Sequence, residues 1–371
     1  MRILYFSRDY GPHDHRFLSA IAEAGHEIFF LRLERRNLSV ELRPLPTRVR
    51  AVVWAGGESL FSWFRAAHIL LELRKVIADV QPDLFHAGPL PTCGTLAAAS
   101  GFHPLVLMSW GSDLLYDAQR KVFTRWLTRY SLRHADVLIG DCLAVRHAAQ
   151  AFAFPEKKII TFPWGVDLQR FSPHGGDGGL RAQLGWEKAF VLLHMRSWER
   201  FYGAEMVMRV FLHLASNYPE LHLLMLGSGS LTPRLQKMIQ KAELENRVYF
   251  PGQLKQDLLP NYYRAADLYV SASRSDGSSV SLMEALACGL PALVSDIPGN
   301  REWVELGEEG WLFPLEDEAA LTGCIVTAIE QRNSLKEMSK RARHRAEGRA
   351  NWERNKAGLF RAYDLAMKGV T

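Results

Sequence analysis

Two carboxylates lie close together in a stretch with the pattern of a strand, a tight turn and a helix. Residues 271–295 read SASRSDGSSVSLMEALACGLPALVS, with Asp276 in the turn and Glu284 inside the apolar helix. Ligands of parallel α/β sheets bind beyond the carboxyl ends of the strands, so this stretch is the first place to expect chemistry. Two carboxylates at such a place suggest, as a first interpretation, a catalytic acid and base.

The spacing also suits a binding site. Seven residues separate Asp276 from Glu284, so both side chains can bond the hydroxyl groups of one extended ligand. The amides of residues 278–280 lie between them, at the positive end of the helix. Carboxylates and amides together favour a ligand with both hydroxyl and phosphate groups. A second interpretation stays open, because Ser281 and Glu284 also have the spacing of a helix-capping box.

A single arginine has the chemistry to hold a diphosphate. Arg196 follows a strand-like run at its carboxyl end, and a planar guanidinium can bond two phosphate oxygens at once. Such a cation also stabilises the charge that develops on a departing nucleotide. The alternative for Arg196 is a surface salt bridge.

Two glycines form a further candidate phosphate contact. Gly227 and Gly229 follow an apolar strand-like run and precede a helix-like one. Their backbone amides could approach a phosphate, and a tight turn without a ligand is the alternative. A dinucleotide-binding fingerprint would have a third glycine where this chain has Thr232, which argues against a nicotinamide enzyme.

Strand-like and helix-like runs alternate twice along the chain. This rhythm predicts two α/β units with parallel sheets and right-handed crossovers. A segment rich in glycine and proline lies between them at residues 163–179. We therefore expect a first domain over residues 1–168, a second domain over 169–345, and a C-terminal helix over 346–371 that packs back on the first.

Composition limits the classes of protein to consider. With 371 residues, 48% of them hydrophobic, the chain is long enough for two domains with separate cores. No apolar run approaches the roughly 20 residues that span a bilayer, and no signal-peptide pattern precedes the first strand, so a cytoplasmic protein is expected. The four cysteines lack the spacing of a metal site. A net charge of +5 favours anionic small molecules or a membrane surface over nucleic acid.

Several of these motifs occur together in one known family. Residues 189–315 resemble the second domain of the retaining glycosyltransferases of family four (glycosyl transferases group 1), which have the GT-B fold. Residues 1–167 resemble the first domain of that family more loosely. The matching positions are Arg196, Gly203, 227–229, 265–267, 271–291, 298–302, Gly307 and Gly310 in the second half, and 25–27, Pro82, Asp83, His86, 111–113, 165–167 and Phe171 in the first.

The resemblance implies a fold and a reaction. It implies two Rossmann-like domains that face each other across a cleft. It also implies transfer of a sugar from a nucleotide-diphosphate donor, a UDP-sugar rather than a GDP-sugar, to a hydroxyl acceptor, with retention of configuration and without a metal. The residues implied in donor binding are Gly11, Arg196, Gly227, Gly229, Asp276, Gly277, Ser278, Ser279, Val280 and Glu284. Of these, Arg196 would hold the diphosphate, Asp276 the sugar and Glu284 the ribose, and these three would carry catalysis.

Three positions depart from the family pattern. Asp276 stands where the family has glutamate, Tyr202 where a lysine is expected, and Trp110 where many members have histidine. The carboxylate is therefore one methylene shorter, the diphosphate has one cation fewer, and a histidine contact to the sugar is missing. These changes affect the donor assignment more than the fold assignment.

Three residues of the first half are candidates for the acceptor side. His86 and Asp113 are expected at strand ends that face the cleft, and Asp14 is expected at a helix start. A hydrogen-bonded structural role is an equally good interpretation for His86 and Asp113, as is helix capping for Asp14. The partners implied are a small-molecule donor and a glycan or lipid-linked acceptor, with no nucleic acid.

A predicted helix over residues 117–134 carries a basic stripe. Lys121, Arg125, Arg129 and Arg133 repeat every four residues beside an aromatic face. This pattern predicts peripheral contact with an anionic membrane, and a solvated helix face is the alternative. The basic run 340–345 has the same two interpretations.

The primary hypothesis is a retaining hexosyltransferase in polysaccharide, glycolipid or glycoconjugate synthesis. Two alternatives stay open. One is a nucleotide-sugar epimerase or hydrolase of the same architecture, and the other is a non-catalytic subunit that binds a sugar nucleotide.

Overall fold

Parallel β-strands alternate with α-helices along the chain. A computed structural model describes residues 1–34, 41, 43–57 and 60–369. The elements divide between two units, the first containing Met1–Phe162 and the chain from Lys356 onward, the second containing Pro163–Asn355. The predicted α/β fold with two Rossmann-like sheets is confirmed.

A seven-stranded parallel sheet forms the centre of the first unit. Its strands are β1 (Arg2–Ser7), β2 (Glu27–Arg32), β3 (Val49–Val52), β4 (Leu84–Gly88), β5 (Leu105–Met108), β6 (Val137–Gly140) and β7 (Ile159–Thr161). Their order across the sheet is β3-β2-β1-β4-β5-β6-β7. The central strands are buried along their length, because helices cover both faces of a parallel sheet. The helices between them are α1 (Pro12–Glu23), α2 (Ala66–Val80), α3 (Thr95–Ser100), α4 (Ala118–Arg120), α5 (Val122–Arg133) and α6 (Leu143–Ala151).

The helix predicted over residues 117–134 is interrupted. α4 ends at Arg120, Lys121 has an extended backbone with φ −123° and ψ 130°, and α5 begins at Val122. The hydroxyl of Thr124 donates to the carbonyl oxygens of Asp117 and Lys121. The bond to Asp117 gives that carbonyl a partner outside a continuous helix, which stabilises the break. The carbonyl of Lys121 also accepts from the amide of Arg125 at 2.9 Å.

A six-stranded parallel sheet forms the centre of the second unit. Its strands are β8 (Phe190–Met195), β9 (Leu221–Leu226), β10 (Val248–Gly252), β11 (Leu268–Ser271), β12 (Ala292–Ser295) and β13 (Gly310–Phe313), in the order β10-β9-β8-β11-β12-β13. The helices are α7 (Leu180–Leu184), α8 (Ala204–Ala215), α9 (Thr232–Ala242), α10 (Leu259–Ala265), α11 (Val280–Ala287), α12 (Pro298–Arg301), α13 (Glu318–Glu330), α14 (Leu335–Arg349) and α15 (Trp352–Asn355).

In each sheet, successive strands are added first on one side and then on the other. The change of side falls between β1 and β4 in the first unit and between β8 and β11 in the second. The crevice beyond the carboxyl ends of the strands at such a switch point is where open α/β sheets bind ligands. The two switch points are therefore the places to examine for function.

The last helix packs on the first unit, but it begins later than the predicted span 346–371, because residues 346–349 still belong to α14 of the second unit. α16 (Ala357–Lys368) packs against β5, β6 and β7. A Cβ added at Gly358 would come within 2.3 Å of the Phe162 ring, so only glycine lets the helix approach this closely. Among the described residues, no helix combines the length and the apolar character needed to cross a membrane.

The basic run 340–345 makes contacts inside the second unit. Arg343 of α14 donates to the carbonyl oxygens of Leu168, Phe171 and Ala287. Lys340, Arg341 and Arg345 form ion pairs with Glu337, Glu308 and Glu309. Because these charges already have partners, the structure favours a structural role for this run over lipid contact.

Candidate functional site

The second switch point brings the predicted donor residues together. Arg196 directly follows β8, and residues 272–279 connect β11 to α11, whose fifth residue is Glu284. β8 and β11 are neighbours in the sheet. Residues that lie about 80 positions apart in sequence therefore meet at one edge of the sheet.

Arg196 and Asp276 form an ion pair. Nη2 of Arg196 lies 2.7 Å from Oδ2 of Asp276, and less than a fifth of either side chain is exposed. Nη1 donates to the hydroxyl of Ser279 at 2.8 Å. Burial raises the pKa of the Asp276 carboxyl, and the charge of Arg196 opposes that shift. Arg196 is therefore a half-buried member of the candidate site and not an isolated surface residue.

The guanidinium of Arg196 keeps one unused donor. Its Nε is buried and has no hydrogen-bond partner in the part of the chain that the structure describes. The ring of Tyr202 lies over the guanidinium, with its centroid 4.4 Å from Cζ, which is a favourable cation–π contact. Tyr202, which stands where a lysine was expected, thus orients Arg196 but adds no positive charge.

Glu284 is buried inside α11, with 4% of its surface exposed. The hydroxyl of Tyr263, a buried residue of α10, donates to its Oε2 at 2.8 Å. Burial and then the charge of Glu284 raise the pKa of Tyr263 well above its ordinary value, so the phenol stays protonated. α11 begins at Val280 with Ser279 as its N-cap. Because Ser281 lies inside the helix, the capping-box interpretation of Glu284 is wrong.

The turn before α11 is held by α12 and the residues after it. A Cβ added at Gly299 would lie 2.4 Å from the carbonyl oxygens of Asp276 and Gly277, so only glycine permits this approach. Nε1 of the buried Trp303 donates to the hydroxyl of Ser278 at 3.2 Å. These contacts place Asp276 at the edge of the sheet and set the first amides of α11 beside it.

Gly227 and Gly229 have their amides occupied within the protein. The amide of Gly227 donates to the carbonyl of Gly252 at 3.0 Å, and that of Gly229 donates to the hydroxyl of Thr232 at 3.1 Å. A Cβ added at Gly229 would lie 2.5 Å from the carbonyl oxygen of Trp198. This crowding explains both glycines as parts of a tight turn. Their contact with a donor phosphate stays a prediction.

At the first switch point, Asp14 caps the helix that follows β1. Gly11 is the N-cap of α1, and its amide donates to Oδ2 of Asp14 at 2.8 Å. The hydroxyl of Tyr5 donates to the other oxygen at 3.2 Å. Burial raises the pKa of Asp14 to about 7. The geometry favours the capping interpretation, and an acceptor contact for Asp14 stays a prediction.

His86 was expected at a strand end, and this was wrong. The residue lies inside β4, in register with Tyr5 of β1, where α16 covers it. Nδ1 of His86 lies 2.7 Å from the hydroxyl of Tyr363 in α16. Burial lowers the pKa of His86 to about 3, so its ring is neutral at physiological pH. The structure favours the hydrogen-bonded structural role.

Asp113 organises the loop after β5. Its carboxylate accepts hydrogen bonds from the amides of Leu90, Trp110 and Leu114 and from the hydroxyl of Ser109, at 2.6–3.1 Å. The side chain is buried, and burial raises its pKa in spite of these bonds. Four internal donors favour the structural interpretation, and a sugar contact for Asp113 stays a prediction.

Comparisons with known proteins place this arrangement in a family. Residues 179–345 match the model described as "Glycosyl transferases group 1", and residues 11–165 match the model "Glycosyl transferase 4-like domain". Residues 179–345 therefore belong to the glycosyl transferases group 1, the family predicted from the motifs. Arg196, Asp276 and Glu284 all lie inside the first of these matches, so the candidate donor residues are part of the family region.

Two curated relatives show how far the sequence similarity extends. A D-inositol 3-phosphate glycosyltransferase of Streptomyces bingchenggensis is 28% identical over 61% of this chain and 50% of the relative. The UDP-Gal:alpha-D-GlcNAc-diphosphoundecaprenol alpha-1,3-galactosyltransferase of Escherichia coli is 26% identical over 74% of this chain and 73% of the relative. The chain thus spans about half the length of the first relative and more of the second.

A solved structure has the same fold. The structure of Anabaena Alr3699/HepE in complex with UDP-glucose superimposes with a TM-score of 0.79 and 20% identity, covering 98% of this chain and 100% of the other. This similarity confirms the predicted GT-B fold of the chain.

Sequence reasoning missed the part played by Tyr263. It lies 21 residues before Glu284 on a different helix, and an aromatic residue in an amphipathic helix is ordinarily a core residue. Its hydroxyl reaches Glu284 only because α10 and α11 pack together. No local signal distinguishes it from Tyr262 beside it.

Proposed function

We propose that this protein transfers a sugar from a nucleotide-diphosphate donor to a hydroxyl acceptor. The observation that carries the proposal is the group of Arg196, Asp276 and Glu284 beside the start of α11, assembled at the switch point of one sheet. A nucleotide sugar presents a diphosphate, sugar hydroxyls and ribose hydroxyls. This group offers a partner of suitable charge and geometry to each of them.

Donor binding, in this proposal, exchanges the partners of the Arg196–Asp276 pair. Asp276 now occupies a position on the guanidinium that a phosphate oxygen would take. A diphosphate carries more negative charge than one carboxylate and can bond a guanidinium through two oxygens. The buried Nε of Arg196 is an additional donor for it. Asp276, released from Arg196, then accepts hydrogen bonds from the hydroxyls of the donor sugar.

Glu284 is assigned to the ribose of the nucleotide. A carboxylate accepts hydrogen bonds from two neighbouring hydroxyls, and the Tyr263 phenol fixes the orientation of Glu284 through Oε2. The position of Glu284 in the second turn of α11, beyond the amides of Ser279 and Val280, matches the order of ribose, diphosphate and sugar along a donor.

Gly11 is assigned to close approach of the donor phosphates. A Cβ added there would meet one neighbouring atom, Oδ2 of Asp14, at 3.4 Å, which is an ordinary contact. The backbone at Gly11 has φ −119°, which any residue can adopt. Since the described protein atoms leave room for a side chain, a ligand that packs against the backbone is the better reason for glycine.

Transfer breaks the bond between the anomeric carbon and the diphosphate oxygen and forms a bond to the acceptor oxygen. Arg196 and the first amides of α11 stabilise the negative charge that collects on the departing phosphate. The acceptor hydroxyl gives its proton to that phosphate. Retention of configuration without a metal is what the family resemblance implies, and we carry it into the proposal.

UDP is the proposed nucleotide. The support is the shared fold with Anabaena Alr3699/HepE, whose structures contain UDP or UDP-glucose. A Mycolicibacterium smegmatis relative, 24% identical over 74% of this chain and 73% of its own length, is named as GDP-mannose-dependent. Titration of the protein with UDP and GDP in parallel tests the choice, and tighter binding of GDP would overturn it.

The acceptor is proposed to be a glycan or lipid-linked molecule, reached from an anionic membrane surface. Some relatives are named for lipid-linked acceptors, among them the diphosphoundecaprenol galactosyltransferase. Lys121, Arg125, Arg129 and Arg133 are all exposed along α5 and its N-cap. Each basic residue near an anionic bilayer contributes about 1 kcal/mol of attraction.

Replacement of Glu284 by Gln tests the donor site. Loss of a charged acceptor for ribose hydroxyls should weaken UDP binding by about 10- to 100-fold, measured by calorimetry. Glu309→Gln is a matched control, because Glu309 is an equally buried carboxylate of the same unit that pairs with Arg345. Unchanged UDP affinity in the folded Glu284→Gln protein would remove the ribose assignment.

Release of UDP from a UDP-sugar, with and without acceptor mixtures, tests the reaction. A transferase needs the acceptor for rapid release. Equal release without acceptor would indicate a hydrolase, conversion of the sugar without release an epimerase, and binding without either a non-catalytic subunit.

A further inference from the structure

The aromatic residues that the fold leaves exposed lie in one place. Of all phenylalanine and tryptophan side chains in the described residues, only Phe64, Phe123 and Trp126 are classed as exposed, and Phe64 is fully so. Val122, the first residue of α5, directly precedes Phe123 and is 88% exposed. A soluble protein gains nothing in stability from large apolar side chains in water, so a cluster of them indicates a contact surface.

Two separate segments form this cluster. Trp63 and Phe64 belong to the short helical turn Trp63–Arg65 that precedes α2, while Val122, Phe123 and Trp126 belong to the first turns of α5. The ring of Trp63 packs edge-on against that of Phe123, with centroids 5.6 Å apart. We call these five residues the aromatic patch.

Positive charge borders the aromatic patch on one side. Successive residues of a helix are rotated by about 100°, so residues seven positions apart share a face. Arg129 follows Val122 and Arg133 follows Trp126 by seven residues, and both therefore project from the same face of α5, nearer its C-terminus. Arg120 and Lys121 precede the helix and are also exposed. Asp117 lies within electrostatic reach of Lys121 and Arg120, and it offsets only part of this charge. This face of α5 is therefore apolar in its first turns and cationic in its last.

We propose that the aromatic patch inserts into the interfacial region of a bilayer that contains anionic lipids. This inference rests on the proposed membrane contact and deepens it from electrostatic attraction to insertion. Phenylalanine and tryptophan favour the boundary between headgroups and acyl chains, and arginine beside them can bond lipid phosphates. The arginines beside the aromatic patch therefore favour the same partner as the patch itself, an anionic bilayer.

A second copy of the chain is a poorer partner for this surface. In a two-fold symmetric contact the same patch meets itself. The stripe of Arg125, Arg129 and Arg133 would then face its own copy, and like charges in a contact are unfavourable. An anionic bilayer neutralises that stripe instead.

Vesicle co-sedimentation tests the proposal with the full chain. The vesicles contain phosphatidylcholine alone or phosphatidylcholine with phosphatidylglycerol. The wild type should sediment with the mixed vesicles and keep part of its binding at high salt, because insertion is not screened. The double variant Phe64→Ser/Trp126→Ser should partition about tenfold more weakly and lose the salt-resistant part.

The matched control is Leu258→Ser/Leu306→Ser, which removes two exposed apolar side chains of the second unit. It should bind vesicles as the wild type does. An equal loss in this control, no sedimentation of the wild type, or full salt-resistant binding by the Phe64/Trp126 variant would each overturn the proposal. So would a wild-type dimer in lipid-free solution that becomes monomeric in the Phe64/Trp126 variant.

A direct reading of insertion uses Val122→Cys labelled with an environment-sensitive dye. Its emission should shift to shorter wavelength on addition of mixed vesicles, whereas a dye on Leu306→Cys should not respond. UDP affinity, measured without lipid, should be the same in the wild type and the Phe64/Trp126 variant. Failure of insertion with normal UDP binding would leave the donor site intact, and loss of UDP binding would instead count against the fold of the variant.

Discussion

The two switch points of this protein have the same topology and use their polar residues in opposite ways. In the first unit, both carboxylate oxygens of Asp14 and of Asp113 accept hydrogen bonds from the same unit. His86 contacts Tyr363 through Nδ1, and its buried Nε2 has no partner among the described residues. In the second, the buried Nε of Arg196 has no partner among the described residues, and we propose that a donor phosphate displaces its carboxylate partner. Internal hydrogen bonds of a buried carboxylate stabilise the fold, whereas a charged guanidinium with an unused N–H group can bind a ligand.

The hydrogen-bond partners of a polar residue at a strand end distinguish a structural role from a ligand-binding role. All these residues were candidates on sequence grounds, and their environments separate them. The carboxylate of Asp113 already accepts hydrogen bonds from four internal donors, so its bonds favour a structural role in the loop. Asp276 contacts Arg196, the hydroxyl of Ser279 and the amide of Gly277, and we propose that a donor phosphate takes its place on Arg196.

The largest effect expected on the second side of this comparison is that of Arg196→Ala. Loss of the cation that stabilises the departing phosphate should lower kcat by roughly 10²- to 10³-fold. The melting temperature should change little, because Asp276 regains access to water. Arg209→Ala, which removes a partly exposed arginine of the same unit paired with Glu205, is the control and should retain turnover. Equal turnover in the wild type and Arg196→Ala would remove Arg196 from the mechanism.

In the first unit, Asp113→Asn should lower the free energy of unfolding. The new amide group would face the amide of Leu90, which now donates to Oδ2, so two donors would oppose each other in a buried place. We expect a loss of about 2 kcal/mol in the free energy of unfolding, measured by urea denaturation. The KM for the donor should stay the same. A large change in KM without loss of stability would transfer Asp113 to the functional class.

Asp276→Asn tests the partner exchange itself. Without the competing carboxylate, Arg196 should bind UDP more tightly, by about tenfold, and the same change should weaken recognition of the donor sugar. Calorimetry with UDP and with UDP-glucose measures both effects. Weaker binding of UDP in this variant would mean that Asp276 supports the diphosphate site and does not compete for it.

The smallest effect is expected for Tyr263→Phe. This change removes one hydrogen bond to Glu284 and keeps the ring, so UDP affinity should fall by about fivefold with kcat nearly unchanged. Tyr262→Phe is the matched control on the same helix, and it should behave as the wild type. If Tyr263→Phe lowers stability and leaves UDP affinity intact, the phenol is a core group and does not position Glu284.

The alternation of strands and helices was readable because both sheets are parallel and buried. Such strands are short continuous apolar runs, and the helices between them carry an apolar stripe. The helix at residues 117–134 was predicted as continuous because its pattern stays amphipathic across Lys121. The hydroxyl of Thr124 stabilises the break, and a side-chain hydrogen bond of this kind cannot be predicted from hydrophobic periodicity.

The strand, turn and helix that carry Asp276 and Glu284 could be predicted from the sequence alone, because turn residues and apolar periodicity are local properties. The sequence also predicted that Arg196 follows a strand. The pairing of Arg196 with Asp276 became visible only in the tertiary structure. The same is true of the hydrogen bond from Tyr263 to Glu284 and of the contact between His86 and α16. The physical reason is that side-chain pairing and burial depend on which strands are neighbours, and that neighbourhood joins residues far apart in the chain.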